Sequence, residues 1–159
     1  MTRAFVGLGA NIGEPRRQLQ EALQHLDELP QTRVAGISGF YRSAPVGYLD
    51  QPEFLNAVAE LDTSLAPGPL LEHLHEIEKC HGRERSFANA PRTLDLDLLL
   101  YGDRTMNTPG LTLPHPRMHE RAFVLQPLLE LDSEISIPGK GKASGLLAAC
   151  GAQKIERIA

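Results

Sequence analysis

Apolar positions in this chain switch between a period of two and a period of three to four, and the switches mark out the elements. Residues 2–8 are short, β-branched and apolar and run into the glycine-rich segment 7–13, which predicts a first strand and a turn. Pro15 suits a first helical position, and Leu19, Ala22, Leu23, Leu26 and Leu29 then recur at helical spacing as far as Pro30. Residues 33–41 predict a second strand, and the Pro- and Gly-rich residues 43–52 a loop into a third at 53–62. In that third strand Leu55, Ala57, Ala59 and Leu61 share one face, and Phe54, Asn56 and Val58 share the other. Pro67 and Pro69 open a second helix with Leu70, Leu71, Leu74 and Ile77 inward, and Gly82 ends it. Residues 94–101, LDLDLLLY, are the clearest strand of all, with Leu94, Leu96, Leu98 and Leu100 on one face.

Taken in order these elements are β-α-β-β-α-β. The fold class is therefore α+β, in the ferredoxin-like arrangement of two helices packed on one face of an antiparallel sheet, with a C-terminal extension. The extension should add short strands or turns near 105–106 and 111–113, helical pieces near 117–121 and 126–131, and a last helix near 144–150. No linker or internal repeat divides the sequence, so residues 1–159 read as a single domain. At that length about two thirds of the surface of the unfolded chain can be buried without disulfides. Cys80 and Cys150 are too few and too far apart for a disulfide framework or a zinc knuckle and read as buried free thiols with no chemical role. No apolar stretch, the run at 98–101 included, approaches a membrane span, and no basic-then-apolar leader opens the sequence. A cytoplasmic protein, expected to be a monomer, follows from that reading.

Charge adds a regional signal. Residues 79–121 hold seven Lys and Arg against five acids, a net +2, whereas the whole chain carries −4 and the remaining segments therefore −6. An acidic chain is a poor ligand for nucleic acid or a membrane surface, while a local arginine group suits a compact polyanion. The plainer account is a solvated face with ordinary ion pairs.

Asp95 and Asp97 lie two positions apart on the predicted strand, so both point to one face with their Cα atoms about 6.5–7 Å apart. Two carboxylates so placed repel each other unless a cation or several donors compensate. An oxygen-only ligand pair favours a hard cation, Mg²⁺ before Zn²⁺. The structural alternative is that both acids face water, or that Arg92 and a second arginine neutralise them. Arg83, Arg85 and Arg92 precede the acidic strand, and His115, Arg117, His119 and Arg121 follow it, so donors can converge on an anion held by a metal. Phosphoryl transfer requires that layout. The glycine run 7–13 fits neither a dinucleotide-binding fingerprint, since no acid closes the next strand, nor a phosphate loop, which would need Gly-Lys-Ser/Thr. A strand-to-helix turn, with Asn11 holding backbone groups, accounts for it better.

The runs GANIG at 9–13, FYRSAP at 40–45, DQPEFLNA at 50–57, EKCHGR at 78–83, PRTLDLD at 91–97 and LPHPRMHERAF at 113–123 resemble the bacterial 6-hydroxymethyl-7,8-dihydropterin pyrophosphokinases of folate synthesis. They occur in the family's order and cover the chain to about residue 132. The resemblance implies Mg²⁺-dependent transfer of the pyrophosphoryl group of ATP to the hydroxymethyl oxygen of 6-hydroxymethyl-7,8-dihydropterin, with release of AMP. It assigns two Mg²⁺ ions to Asp95 and Asp97 and the ATP phosphates and ribose to Arg83, Arg92, His115 and Arg121. Arg85 would assist in a closed state, and Glu78 and Thr112 match positions near the nucleotide. Phe54 and Phe123 would stack on the two faces of the pterin, Asn56 would bond its polar edge, and backbone groups near Ser43 and Val46 would complete recognition. Core filling is the alternative for either phenylalanine. Many members carry an arginine and an aromatic residue where this chain has Ala88, Asn89 and Ala90. Closure of that loop is expected either to use the nearby Phe87 or to be less populated. Two rivals remain at this point: a metal-dependent phosphodiesterase using the same carboxylates, and a non-catalytic ferredoxin-like binding module.

Overall fold

The computed structural model describes residues 1–44, 52–81, 94–151 and 153–158. Its centre is the ten-residue strand β4 (Phe54–Thr63), which pairs from Leu55 to Thr63 with the whole of β1 (Thr2–Ala10). On the far side of β1 lies β5 (Asp95–Tyr101). The other side of β4 is shared by β2 (Thr32–Ile37) at one end and β3 (Phe40–Ser43) at the other, and β10 (Ile155–Ile158) pairs with β3. Every pairing is antiparallel, and the order along the main path is β10-β3-β4-β1-β5. Two small hairpins complete the strands: β6 (Met106–Thr108) with β7 (Leu111–Leu113), and β8 (Ser136–Ile137) with β9 (Gly141–Lys142).

Helix α1 (Pro15–Asp27) starts at Pro15, whose missing amide costs nothing in a first turn, and buries Leu19, Ala22, Leu23 and Leu26. Helix α2 (Pro67–Cys80) buries Leu70, Leu74 and Ile77 in the same way, leaving Leu71 half-buried. Both pack on the sheet face formed by Val6 and Leu8 of β1, Ala57, Ala59 and Leu61 of β4, and Leu96 and Leu98 of β5. The opposite face is covered in part by α3 (Ala122–Leu131) and α4 (Ala143–Ala148), around Phe5, Val58, Leu99, Leu125 and Leu128. The class is thus α+β with an antiparallel sheet: α1 and α2 share one face, as the sequence pattern places them, and the helices of the extension stand on the other.

Four expectations are corrected. The second strand breaks at Ser38 and Gly39, where Ser38 bridges to Val58 through its amide and its hydroxyl, each at 2.9 Å. A Cβ on Gly39 would sit 2.5 Å from Nε of Arg157, an exposed side chain that would have to move aside. The first strand runs on to Ala10, so Gly7 and Gly9 belong to β1 and not to a turn. Between Val6↔Leu98 and Phe5↔Leu100 the register slips by one residue, so Leu99 is a bulge and Leu100 turns to the α3 side, away from Leu96 and Leu98. Cys80, the last residue of α2, is exposed, whereas Cys150 is buried as expected.

The break in the second strand is held by one carboxylate. Glu130 of α3 accepts the Gly39 amide at 3.1 Å and the Tyr41 hydroxyl at 2.6 Å and pairs with Arg157 of β10 at 3.1 Å. Burial and the adjoining Glu130 push the Tyr41 phenol up to about 12, so it stays a donor. Replacing Tyr41 with Phe should lower stability by about 1.5–3 kcal/mol, the range for a hydrogen bond to a charged group. Urea denaturation should show a lower midpoint at unchanged slope; an unaltered midpoint would contradict the role given to this contact.

Candidate active site

The Asp-Leu-Asp of β5 lies directly against a Gly-Leu-Gly of β1: Asp97 pairs with Gly7, Leu96 with Leu8 and Asp95 with Gly9. Paired residues share a face, so both acids stand beside positions that carry no side chain. Across β1 the same rows continue to β4, with Gly7 opposite Val58 and Gly9 opposite Asn56, and on to Tyr41 of β3. Asp95, Gly9, Asn56 and Tyr41 therefore form one row across four strands. A Cβ on Gly9 would come within 3.3 Å of Oδ1 of Asn56, so glycine leaves an open lane between the acids and the amide.

Asn56 is 4% exposed, and its Nδ2 donates to Oγ of Ser43, also buried, at 2.5 Å. Phe54, the register partner of Ser43, lies on the same face of β4 as Asn56 and is half-buried. Asn11, 2% exposed, donates to the carbonyl of Pro52 at 3.1 Å and so ties the end of β1 to the chain entering β4. The sequence pattern places its backbone contact within the strand-to-helix turn, whereas this bond reaches the distant Pro52.

On the outer side of β5 a cleft of about 410 Å³ runs between α2 and the connection that follows β7. Asp95, Asp97, Glu78, Thr112 and His115 line it together. The bulge positions His115, whose amide donates to the carbonyl of the extra residue Leu99 at 2.9 Å. Its Nδ1 accepts the amide of Arg117 at 3.1 Å, so the neutral ring carries its hydrogen on Nε2. Burial, reinforced by the Arg121 and Arg117 guanidiniums and opposed by Asp95, pushes this imidazole down to about 4. Past the 3-10 turn Met118–Glu120, Arg121 sits at the entry of α3 with its guanidinium 5.5 Å from the ring centre of Phe123. Arg121 lies close enough to His115 to act on its charge, and Phe123 packs against the apolar cluster that includes Phe5 and Val58.

Asp95, Asp97, Glu78, Thr112 and His115 are brought to one cleft, and Ser43, Asn56 and Phe54 are brought to the neighbouring face. Val46, Arg83, Arg85 and Arg92 lie outside the described residues, as does the Phe87–Ala90 departure. The sequence reading missed His75, Leu71 and Leu111, which also line the cleft. Helical spacing carried a signal for His75, three positions before Glu78 on α2. It missed the glycine lane as well, which was written as a Gly-x-Gly able to pair with an Asp-x-Asp.

The donor chemistry is oxygen-rich, and among the described residues no three His, Cys, Asp or Glu side chains stand close enough to hold an ion by themselves. Two half-buried carboxylates lining an open cleft suit a hard divalent cation that keeps further positions for substrate oxygens and water. The fold and this cleft define an α+β protein with an acidic site on its edge strand. A profile of the 7,8-dihydro-6-hydroxymethylpterin-pyrophosphokinase family, HPPK, matches residues 5–133. The chain is 47% identical over 156 residues to the 2-amino-4-hydroxy-6-hydroxymethyldihydropteridine pyrophosphokinase of Pseudomonas aeruginosa, covering 98% of this chain and 96% of that relative. The enzyme of the same name from Bacillus subtilis is 43% identical over 132 residues, covering 83% and 79%. A wild-type Plasmodium falciparum HPPK-DHPS crystal structure shares the fold, with a TM-score of 0.70 at 13% identity over 94% of this chain. This chain spans 43% of that one. The chain belongs to the HPPK family.

The pKa of His115 has a consequence for stability. In the unfolded chain the imidazole takes up its proton near 6.5; in the folded protein it does so only near 4. The stability contributed by the neutral ring is complete above pH 6.5 and drains as the pH falls toward 4. An NMR titration should place the His115 midpoint near 4, and His115→Gln should lose less stability than wild type between pH 7 and 4.5. A midpoint near 6.5 would contradict the burial argument.

Proposed function

We propose that this protein transfers the pyrophosphoryl group of ATP to the hydroxymethyl oxygen of 6-hydroxymethyl-7,8-dihydropterin in a Mg²⁺-dependent reaction that releases AMP, a step of folate biosynthesis. The observation that carries the reading is the row Asp95–Gly9–Asn56, which joins an acidic cleft to a buried amide across a floor without side chains. Membership of the HPPK family supports it throughout. The sheet order β5-β1-β4 followed by β2 and β3 reads as the ferredoxin-like arrangement, extended by α3, α4 and β10.

Asp95 and Asp97 would hold two Mg²⁺ ions, with ATP phosphate oxygens and water filling the remaining positions. Bound there, Mg²⁺ would neutralise the triphosphate and lower the energy of charge developing on it. The hydroxymethyl oxygen forms a bond to the β-phosphorus as the bond from that phosphorus to the α-phosphate oxygen breaks. Arg121 and the neutral His115 donate to the triphosphate and ribose, with Thr112 and Glu78 beside the nucleotide. Arg83 and Arg92 are assigned the same anion, and Arg85 a part in the closed state, on the sequence resemblance. The pterin lies between Phe54 and Phe123, with Asn56 on its polar edge and backbone groups near Ser43 and Val46 completing the pocket. Arg121 stacked near Phe123 places guanidinium and pterin side by side, so charge and orientation are set by adjacent residues. No helix of the described residues is long and apolar enough to cross a membrane. A monomeric, cytoplasmic, single-domain enzyme acting on two small molecules is the form we infer.

Calorimetric titration of the pterin into protein loaded with Mg²⁺ and a non-hydrolysable ATP analogue tests the pocket. Phe123→Ala removes one stacking face, worth about 1–3 kcal/mol, so pterin affinity should fall by about one to two orders of magnitude while ATP affinity holds. Asn56→Ala should weaken the pterin as well, by leaving its polar edge unpaired. Absence of pterin binding in the wild type would contradict the assignment; variants that bind normally would contradict the placement of the pocket.

A further inference from the structure

Helix α2 continues its inward stripe of Leu70, Leu74 and Ile77 with a carboxylate. Glu78 is 3% exposed, and its Oε2 accepts the backbone amide of Leu96 at 2.8 Å. Leu96 is the residue between Asp95 and Asp97 on β5, the strand that ends the sheet order. In an antiparallel pair the amides alternate in direction. With Leu96 donating outward to Glu78, the amides of Asp95 and Asp97 face β1. Glu78 therefore satisfies the buried edge amide that β1 cannot reach and ties the strand to α2 at the one point midway between the two acids.

We propose that Glu78 is a positioning residue for the carboxylate pair: by gripping the Leu96 amide it fixes the spacing and direction in which Asp95 and Asp97 meet a divalent cation. This differs from the nucleotide contact that the family resemblance implies for it, and it rests on the reading of Asp95 and Asp97 as the Mg²⁺ ligands. The geometry does not make Glu78 a third ligand, since no three acidic or imidazole groups among the described residues close on one point. Its action is through the backbone. A strand with two like charges on one face has an electrostatic reason to splay or slide, and an edge strand has a neighbour on one side only to resist it.

The role calls for an acceptor oxygen and not for a charge, and two substitutions separate these. Glu78→Gln keeps a carbonyl oxygen for the Leu96 amide and removes the charge; Glu78→Ala removes both. Three quantities are read on the full chain: hydrogen exchange at the Leu96 amide, the Mg²⁺ concentration giving half-maximal binding of a non-hydrolysable ATP analogue, and kcat with the KM for ATP. Glu78→Gln should hold the Leu96 exchange rate and the half-saturating Mg²⁺ concentration within about threefold of wild type. Glu78→Ala should raise the half-saturating Mg²⁺ by about 10- to 100-fold, as loss of a supporting contact behind metal ligands does. Its Leu96 amide should exchange faster, whereas a change in the KM for ATP in either variant reads the neighbouring nucleotide and not the metal pair. Should Glu78→Ala not fold, the Gln variant decides alone, since wild-type Mg²⁺ dependence supports the role and a loss of tenfold or more overturns it. Faster exchange in Glu78→Ala with unaltered Mg²⁺ dependence would also overturn it, by making the contact merely structural. Asp97→Ala serves as the control: if its Mg²⁺ dependence matches wild type, the metal reading itself falls, whatever Glu78 does.

Discussion

Asp95 and Asp97 repel each other from one face of a strand at the edge of the sheet, and most of the surrounding architecture answers that constraint. Backbone pairing with β1 fixes the strand on one side, and Glu78 takes the edge amide on the other. The partner residues Gly7 and Gly9 add no side chain of their own, so the ground beside the pair is left to Leu99 over Gly7 and to the Asn56 amide beside Gly9. His115, held against the bulge at Leu99, is kept neutral by burial and by Arg121 and Arg117, which limits the positive charge on that side of the cleft to guanidiniums. A neutral donor beside fixed cations can orient a phosphate oxygen without competing with the metal for it.

The same residues connect the charged half of the site to the apolar half. The Gly9 lane runs from Asp95 to Asn56, and at the start of α3 Arg121 stands 5.5 Å from the Phe123 ring, which packs against the cluster containing Phe5 and Val58. Behind them, Glu130 locks Tyr41, Gly39 and Arg157 together, so β3 and β10 are fixed to α3 where the row ends. Pterin and nucleotide would thus meet on a surface whose every strand is tied down by a side chain from a different element.

The period-two and period-three patterns located both principal helices and the acidic strand, because each buries one face and the burial is written locally. Asp95 and Asp97 were readable as a pair for the same reason. Leu100 was assigned to the wrong face because a bulge leaves no mark in a run of leucines; it follows from the register with Phe5, a residue ninety-five positions earlier. The break at Ser38 and Gly39 depends on Val58, Glu130 and Arg157, none of them local. β10 was too short to stand out and exists because β3 offers it an edge. The arginines before the acidic strand carried much of the phosphate-binding signal in the sequence, and they lie outside the described residues, so the geometric case rests on the acids, His115, Arg121 and the glycine lane.

The central claim is that the acidic cleft and the Asn56 pocket serve one reaction with two substrates. Chemical quench of AMP formation from ATP and Mg²⁺, with and without 6-hydroxymethyl-7,8-dihydropterin, tests it most directly in the wild type and in Asp97→Ala. The account expects AMP only when the pterin is present, in equal amount to pyrophosphorylated pterin, and almost none from Asp97→Ala. AMP released at the same rate without the pterin would contradict it and make the cleft a hydrolase site.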